Sequence, residues 1–469
     1  MPGKFKEIAK KVLPPPVVLP ALFSYLLEHI AVSVYWIFFG LDIITNLTDS
    51  YLDVALVFAL PSMVSVIGTM YLSNLSDKTG RRKEIMFFSR IALMIQYTLL
   101  IFFRGSIWVI LGILGSFGIV TQIYYTMNSA LITTICPPDR RGEVSSFQVI
   151  FASAGWMIGG GVSGIIYTTF GIDGSLRFAA FFAYAAGAIA LLSASKPWTK
   201  KTSDSIDIIE ELSEKENNKL ETPIEPPEQI IKYHSKLRIF KSDNFKKSSY
   251  KEILFRKEVL LLIFTLLMLD FGVGPFNVIS SIYLSKVGLN STLISVSNTA
   301  ATAIGMVMLL VTGYFLDRVG RKPFFILAVI MYPVIYSLMF FLTGFKWAIF
   351  IIYLYPLYAL KVPTSNAIMS DITATNERAR GMSLISIEQI FAGNIGAILG
   401  CYIADIFPTD LAPKFLSDGI FTAPFFPMVF GVIASIIAIK VIKETNTKTI
   451  AMKIANEKKN NSVKKILDY

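Results

Sequence analysis

Twelve runs of mostly apolar residues divide this sequence, and each is long enough to cross a lipid bilayer as a helix. They lie at 17–40, 52–73, 84–104, 106–134, 145–170 and 175–196, and again at 257–284, 290–315, 323–343, 346–371, 383–406 and 423–443. About 20 apolar residues span the roughly 30 Å hydrocarbon layer, where the backbone must bond to itself because no water is present. The pattern predicts an all-α membrane protein of twelve transmembrane helices in two pseudo-symmetric six-helix bundles. Its divisions are an N-terminal tail (1–16), a first bundle (17–196), a linker (197–256), a second bundle (257–443) and a basic tail (444–469). Composition agrees. With 54% of 469 residues hydrophobic, 16% charged and a mean hydropathy of +0.58, the chain is too apolar for a soluble globule.

The two bundles read as copies of one unit. Ser73 to Arg82 is S-N-L-S-D-K-T-G-R-R and Gly313 to Lys322 is G-Y-F-L-D-R-V-G-R-K. Both follow G-x-x-x-D-(K/R)-x-G-R-(K/R), with Ser73 in place of the first glycine. Each copy fills the polar break between the second and third span of its half, and Asp77 and Asp317 are 240 residues apart. A second echo follows the fourth span of each half, D-R-R-G-E from Asp139 and R-A-R-G-M from Arg378, with Gly142 and Gly381 239 residues apart. Repetition at half-chain spacing in an apolar chain marks a membrane protein built from two related halves.

Charge orients the spans. The four short loops on one side carry eleven Lys and Arg, against five on the other (Arg104, Arg177, Lys286, Lys346 and Lys414), and the richer side also owns both termini and the linker. The positive-inside rule puts that side in the cytoplasm of a cell-membrane protein. The same bias accounts for the net charge of +11 without nucleic acid. Lys4, Lys6, Lys10 and Lys11 precede the first span with no small-residue cleavage site after it, which reads as a tail before a retained helix. Asn46 and Asn290 open N-x-S/T triplets in outer loops, a glycosylation pattern. Cys136 and Cys401 lack metal-ligand spacing and there are two His, so no metal or cofactor is expected. The linker, acidic and then basic with interleaved aromatics, reads as a solvated tether, with a lipid-facing helix pair as the alternative.

These loops in these places give the chain a resemblance to the major facilitator superfamily, whose signature loop lies between helices 2 and 3 and again between 8 and 9. The resemblance covers nearly the whole chain and implies a transporter that exposes a central site to each side in turn. It also implies a latch role for the loops, for which there is a physical account. A helix N-terminus carries about half a positive charge and free N–H groups, so Asp77 is expected to face the start of the eleventh helix near Gly381. Asp317 would face the start of the fifth near Gly142. The candidate latch comprises Asp77, Gly80, Arg81, Arg82, Arg141, Gly142, Gly313, Asp317, Arg318, Gly320, Arg321, Lys322, Arg380 and Gly381. Gly80 and Gly320 would permit tight turns, and the basic residues would bind carboxylates or lipid phosphates. Helix 5 carries Gly155, Gly159, Gly160, Gly161 and Gly164, an imperfect match to the family's antiporter motif, with Gly160 where that motif has proline. The P-E-S-P-R signature of sugar transporters is absent.

In such folds the substrate site lies near the midplane between the halves, and an ionisable residue in a span is a functional candidate by default. Glu28 and Asp270 are 242 residues apart, the repeat offset, each inside the first span of its half. Tyr35 and Asn277 follow at i+7 on the same faces, so two polar stripes are expected to face each other across a central cavity. Desolvation makes a carboxylate hold its proton more tightly, which suits Glu28 and Asp270, with His29 as a weaker third, to proton coupling. Further cavity candidates are Thr121, Tyr125 and Asn128 in the fourth span, Lys361 and Asn366 in the tenth, and Gln148, Glu388 and Gln389 nearer the cytoplasmic gate. Lys361 is expected to pair with Asp270. Arg90 lies about two turns from the cytoplasmic end of the third span, where its side chain can reach the interface.

The chain therefore reads as a monomeric secondary transporter of a small solute such as a sugar or organic acid, with the proton as coupling ion and the bilayer as its setting. No nucleotide-binding loop of G-x-x-x-x-G-K-(S/T) type supports a primary pump, and no catalytic constellation supports an enzyme. Drug–proton antiport, and a transporter-like sensor without flux, remain as alternatives.

Overall fold

The computed structural model describes residues 14–135, 141–193, 250–373, 377–406 and 419–441. The first half comprises α1 (Leu19–Asn46), α2 (Tyr51–Thr79), α3 (Arg82–Phe103), α4 in two pieces (α4a, Ile107–Thr121; α4b, Ile123–Ile135), and a helical stretch Arg141–Leu191. That stretch is broken at Gly171 (φ +65°, ψ −166°), giving α5 (141–170) and α6 (172–191). The second half comprises α7 (Lys257–Lys286), α8 (Ser291–Val319), α9 (Arg321–Phe341), α10 in two pieces (α10a, Lys346–Tyr353; α10b, Tyr358–Ile372), α11 (Arg378–Ile406) and α12 (Phe425–Val441). Among the described residues nine segments are long and apolar enough to span a membrane, one of them the double segment Phe147–Leu191. The split α10 and the shorter α12 complete a layout consistent with twelve crossings.

Sequence explains the turns and breaks. Gly80 (φ +68°) ends α2, and Gly320 (φ +113°) separates α8 from α9. Both signature-loop glycines thus hold the left-handed backbone that a side chain disfavours. Pro356 lies in the gap of α10. The bend of α7 at Ile279 (φ −108°, ψ 15°) falls one turn after Pro275, which lacks the N–H that would bond a preceding carbonyl.

Glycines set the close helix contacts. Gly155 of α5 rests on the Leu26 carbonyl of α1, and Gly159 rests on Ile30 and Ser33 one turn further. In the second half Gly396 of α11 rests on the Phe271 carbonyl and Gly400 on Pro275, both of α7. Each pair brings two backbones to a distance that a side chain would forbid. The same logic joins the halves. Gly164 of α5 lies against α8, where an added Cβ would stand 2.7 Å from Ser295 Cβ and 2.9 Å from the Ser291 carbonyl. Ser295 Oγ donates to the Gly160 carbonyl, lies 3.3 Å from Ser163 Oγ and accepts from Gly164 N–H at 3.3 Å. α1 meets α7 where Gly40 approaches Val278 O, and α2 packs on α11.

On the face opposite the signature loops, Arg104 pairs with Asp42 (2.8 Å) and Asp173 (3.0 Å), tying three helix ends of the first half together. On the signature-loop face, Arg256 forms two parallel bonds to Glu377 at 2.6 and 2.8 Å. Those bonds hold the guanidinium above its ordinary pKa despite partial desolvation. Cys401 is a buried free thiol. Cys136, most of the linker and the terminal tails lie outside the described residues.

Candidate functional site

Among the described residues each half buries an acid–base pair on its first helix, and the two pairs are built differently. In the first half Glu28 of α1 pairs with Arg90 of α3, each only 1% exposed. Arg90 does not reach the interface as its depth suggested. It turns inward, donates to the Thr121 carbonyl and lies 4.3 Å from the Tyr124 ring centroid. The break after Thr121 supplies that carbonyl, since helix ends leave acceptors without intrahelical partners. Tyr125 donates to Glu28 Oε1 at 3.2 Å, and Tyr35 packs edge-on to Tyr97 at 4.8 Å. Glu28, Tyr35, Arg90, Gln96, Tyr97, Thr121 and Tyr125 share a cavity of about 80 Å³.

In the second half Asp270 of α7 pairs with Lys361 of α10b, as the sequence suggested, with side chains 10% and 9% exposed. This pair borders open space. A pocket of about 290 Å³ is lined by Asp270, Lys361, Asn277, Asn298, Tyr332, Tyr336, Tyr353 and Gln389, with Trp156 contributed by the first half. Asp270, Asn277, Asn298, Tyr353, Gln389 and Trp156 also line a cavity of about 490 Å³ between the halves, opposite Trp36, Phe58 and Ser62 of the first half. Tyr353 donates to Asn298 Oδ1 at 3.1 Å, which orients the amide on the wall. Glu388 of α11 is 7% exposed, and both its carboxylate oxygens are buried without a hydrogen-bond partner. It interacts electrostatically with Asp270 and Lys361. A paired lysine and acid with a second buried carboxylate in electrostatic range form an arrangement able to exchange a proton or engage a charged group of a solute.

The expected symmetric stripes are therefore not opposed. Glu28 and Tyr35 point into their own half, among α2, α3 and α4. Only Asp270 and Asn277 border the central cavity. His29 lies aside from the ion pair, its Nδ1 2.8 Å from the Tyr25 carbonyl and its ring against Tyr25 and Tyr125. Asn128 donates to the Ala21 carbonyl (3.0 Å), and Gln148 donates to Ser129 Oγ (2.8 Å) and Asn128 Oδ1 (3.3 Å), so both join helices and neither lines a described cavity. Asn366 is half-buried and lines none of the three cavities. Sequence reading missed Arg90, Trp156, Asn298 and the tyrosines of α9. For Arg90 a signal was present: Met86, Arg90, Leu93 and Tyr97 form one helical stripe, so Arg90 shares the face of buried Tyr97.

Of the latch candidates, Arg82 and Arg321 act within their own halves. Arg82 donates to the Ala130 carbonyl of α4b at 3.1 Å. Arg321 donates to the Ala367 carbonyl of α10b at 2.7 Å and pairs with Asp371. Gly381 packs on Thr373 and Met369 of the same half. Arg81 is exposed and Lys322 half-exposed. The side-chain surroundings of Asp77, Arg141, Gly142, Gly313, Asp317, Arg318 and Arg380 lie outside the described residues.

Residues 21–362 match the family model described as Major Facilitator Superfamily. No curated protein sequence matches the chain. Among solved structures, the nucleoside transporter NupG superposes with a TM-score of 0.64 at 10% identity, covering 91% of this chain and 98% of that one. A D-xylose–proton symporter gives 0.65 at 13% identity (92% and 98% covered). A bacterial homologue of the human lysosomal transporter Spinster, inward-facing and unoccupied, gives 0.65 at 13% identity (92% and 96% covered). At these identities the likeness concerns the fold.

Proposed function

The chain belongs to the Major Facilitator Superfamily, and from that premise we propose that it is a proton-coupled secondary transporter of a small polar solute. The basic signature-loop face is cytoplasmic and the setting is the cell membrane. The observation that carries the reading is the Asp270–Lys361 pair, both lining one pocket, with Asp270 also on the wall of the cavity between the halves, backed by the buried carboxylate of Glu388, which has no hydrogen-bond partner. A solute held by Asn277, Asn298, Gln389 and Tyr353, with Trp156 and Trp36 as apolar walls, would lie beside this charge cluster. Protonation of an acid there alters how firmly Lys361 is held, and so links the proton to the solute and to the closure of the halves. Glu28 and Arg90, sealed among tyrosines, serve in this reading as the structural anchor of the first half.

The test is flux in proteoliposomes. A thermal-shift screen of the purified protein with pentoses, nucleosides, organic acids and other small polar metabolites selects a ligand. An imposed pH gradient, inside alkaline or inside acid, should then drive its accumulation, and Asp270→Asn should abolish the drive. Flux that ignores the gradient in both directions, or an Asp270→Asn variant that still follows it, would remove proton coupling at this site.

A further inference from the structure

A charged contact joins the halves at the far face. Asp405, the penultimate residue of α11, reaches across to the start of α2. Its carboxylate accepts from Tyr51 N–H (2.7 Å), Leu52 N–H (2.9 Å) and Ser50 Oγ–H (2.7 Å). Ser50 is the N-cap of α2 and also accepts from Asp53 N–H at 3.2 Å. The acid of one half thus caps a helix of the other, meeting free N–H groups and the positive end of the helix dipole together. Charge-assisted bonds of this kind are the stronger class of hydrogen bond.

We propose that Asp405 is the far-face gate residue of the transport cycle, the reciprocal of the loop latch on the opposite face. α2 and α11 run antiparallel across the interface. Asp77 stands near the C-terminal end of α2 and is expected to face the start of α11, whereas Asp405 stands near the C-terminal end of α11 and caps the start of α2. On that expectation each helix would carry, at its own end, an acid for the other's beginning. When the far face parts, Tyr51 and Leu52 N–H lose their carboxylate, and closure at the signature-loop face is what compensates. At the other interface, α5 on α8, the described contacts are those of Gly160, Gly164 and Ser295, with no acid among them. The far-face gate is the contact between α11 and α2. It rests on the alternating-access reading but not on proton coupling or on any substrate.

The test uses spin-label distances on the full chain in lipid nanodiscs, with Cys136 and Cys401 replaced by serine. One label pair, Asp49→Cys with Phe345→Cys, reports the far face. A second, Thr79→Cys with Phe255→Cys, reports the signature-loop face. Asp405→Ala should raise the far-face-open population roughly 5- to 30-fold, the range that one or two kcal/mol implies, while the second pair shifts toward shorter distances. Asp405→Asn, which keeps the size and one acceptor oxygen, should fall between Asp405→Ala and the parent. An unchanged far-face distribution in a folded Asp405→Ala variant would overturn the proposal, and so would widening at both faces together, which is plain loosening. If Asp405→Ala does not fold, cross-linking Ser50→Cys to Asp405→Cys decides instead, since oxidation must hold the far face shut and reduction must release it. Absence of solute flux with these shifts intact would count against transport and leave the latch standing.

Discussion

The two buried acid–base pairs occupy corresponding acids but not corresponding bases. Glu28 and Asp270 sit in the first helix of each half, yet their partners come from different helices, Arg90 from α3 and Lys361 from α10b. Arg90 has a planar, always-charged head that stacks on Tyr124 and donates to a backbone carbonyl. That head suits a pair that stays closed. Lys361 is a single flexible ammonium beside two carboxylates and an open cavity, which suits a pair that changes partner. One half has its ion pair sealed beside a small cavity among tyrosines, and the other has it on the wall of a larger pocket. Duplicated geometry does not imply duplicated chemistry.

The largest expected effect breaks the closed pair. Arg90→Met leaves Glu28 buried without its base and should cost about 3–5 kcal/mol, seen as a large loss of melting temperature in detergent. The double variant Glu28→Gln with Arg90→Met should recover most of that loss, because it removes the uncompensated charge. Next, Asp270→Asn should melt far closer to the parent, since Lys361 lines a pocket of about 290 Å³ where its charge can be solvated. It should nonetheless abolish proton–solute coupling, read as loss of gradient-driven accumulation. A double-mutant cycle sharpens this. Combining Glu388→Gln with Asp270→Asn should destabilise by about 0.5–3 kcal/mol more than the sum of the single changes, because Lys361 then has neither acid. The smallest effect belongs to the most exposed pair: Arg104→Ala, at a site 23% exposed, should cost no more than about 1 kcal/mol by denaturant titration.

Much of the fold was legible in the sequence because length and repetition carry it. The apolar runs and the paired loops located the helices, and the repeat offset joined Glu28 to Asp270. The break of α10 was announced by Pro356. That of α4 was not, since Gln122 has ordinary neighbours and the interruption follows from tertiary packing around Arg90. The site was less legible. Sequence gives a residue's depth along a helix readily but its rotation poorly, so Glu28 was expected to face the central cavity while it turns into its own bundle. Arg90 was expected at the interface for the same reason. Depth placed Glu388 but could not show that both its carboxylate oxygens are buried without a hydrogen-bond partner. Asp405 escaped notice because its partners are backbone N–H groups, which no residue type announces.

The meeting of α5 with α8 has a mechanical consequence. Where Gly160 and Gly164 lie against Ser295 and Ser291, one surface is bare main chain and the other presents a short serine side chain and a backbone carbonyl. Long side chains can yield by changing rotamer, but glycine main chain pressed on a serine Cβ and a carbonyl has little such slack. Relative motion there must be a roll or a slide, as at a bearing. A turn of the halves about that line would be one of stiff bodies, in which a small rotation becomes a wide swing at the two membrane faces.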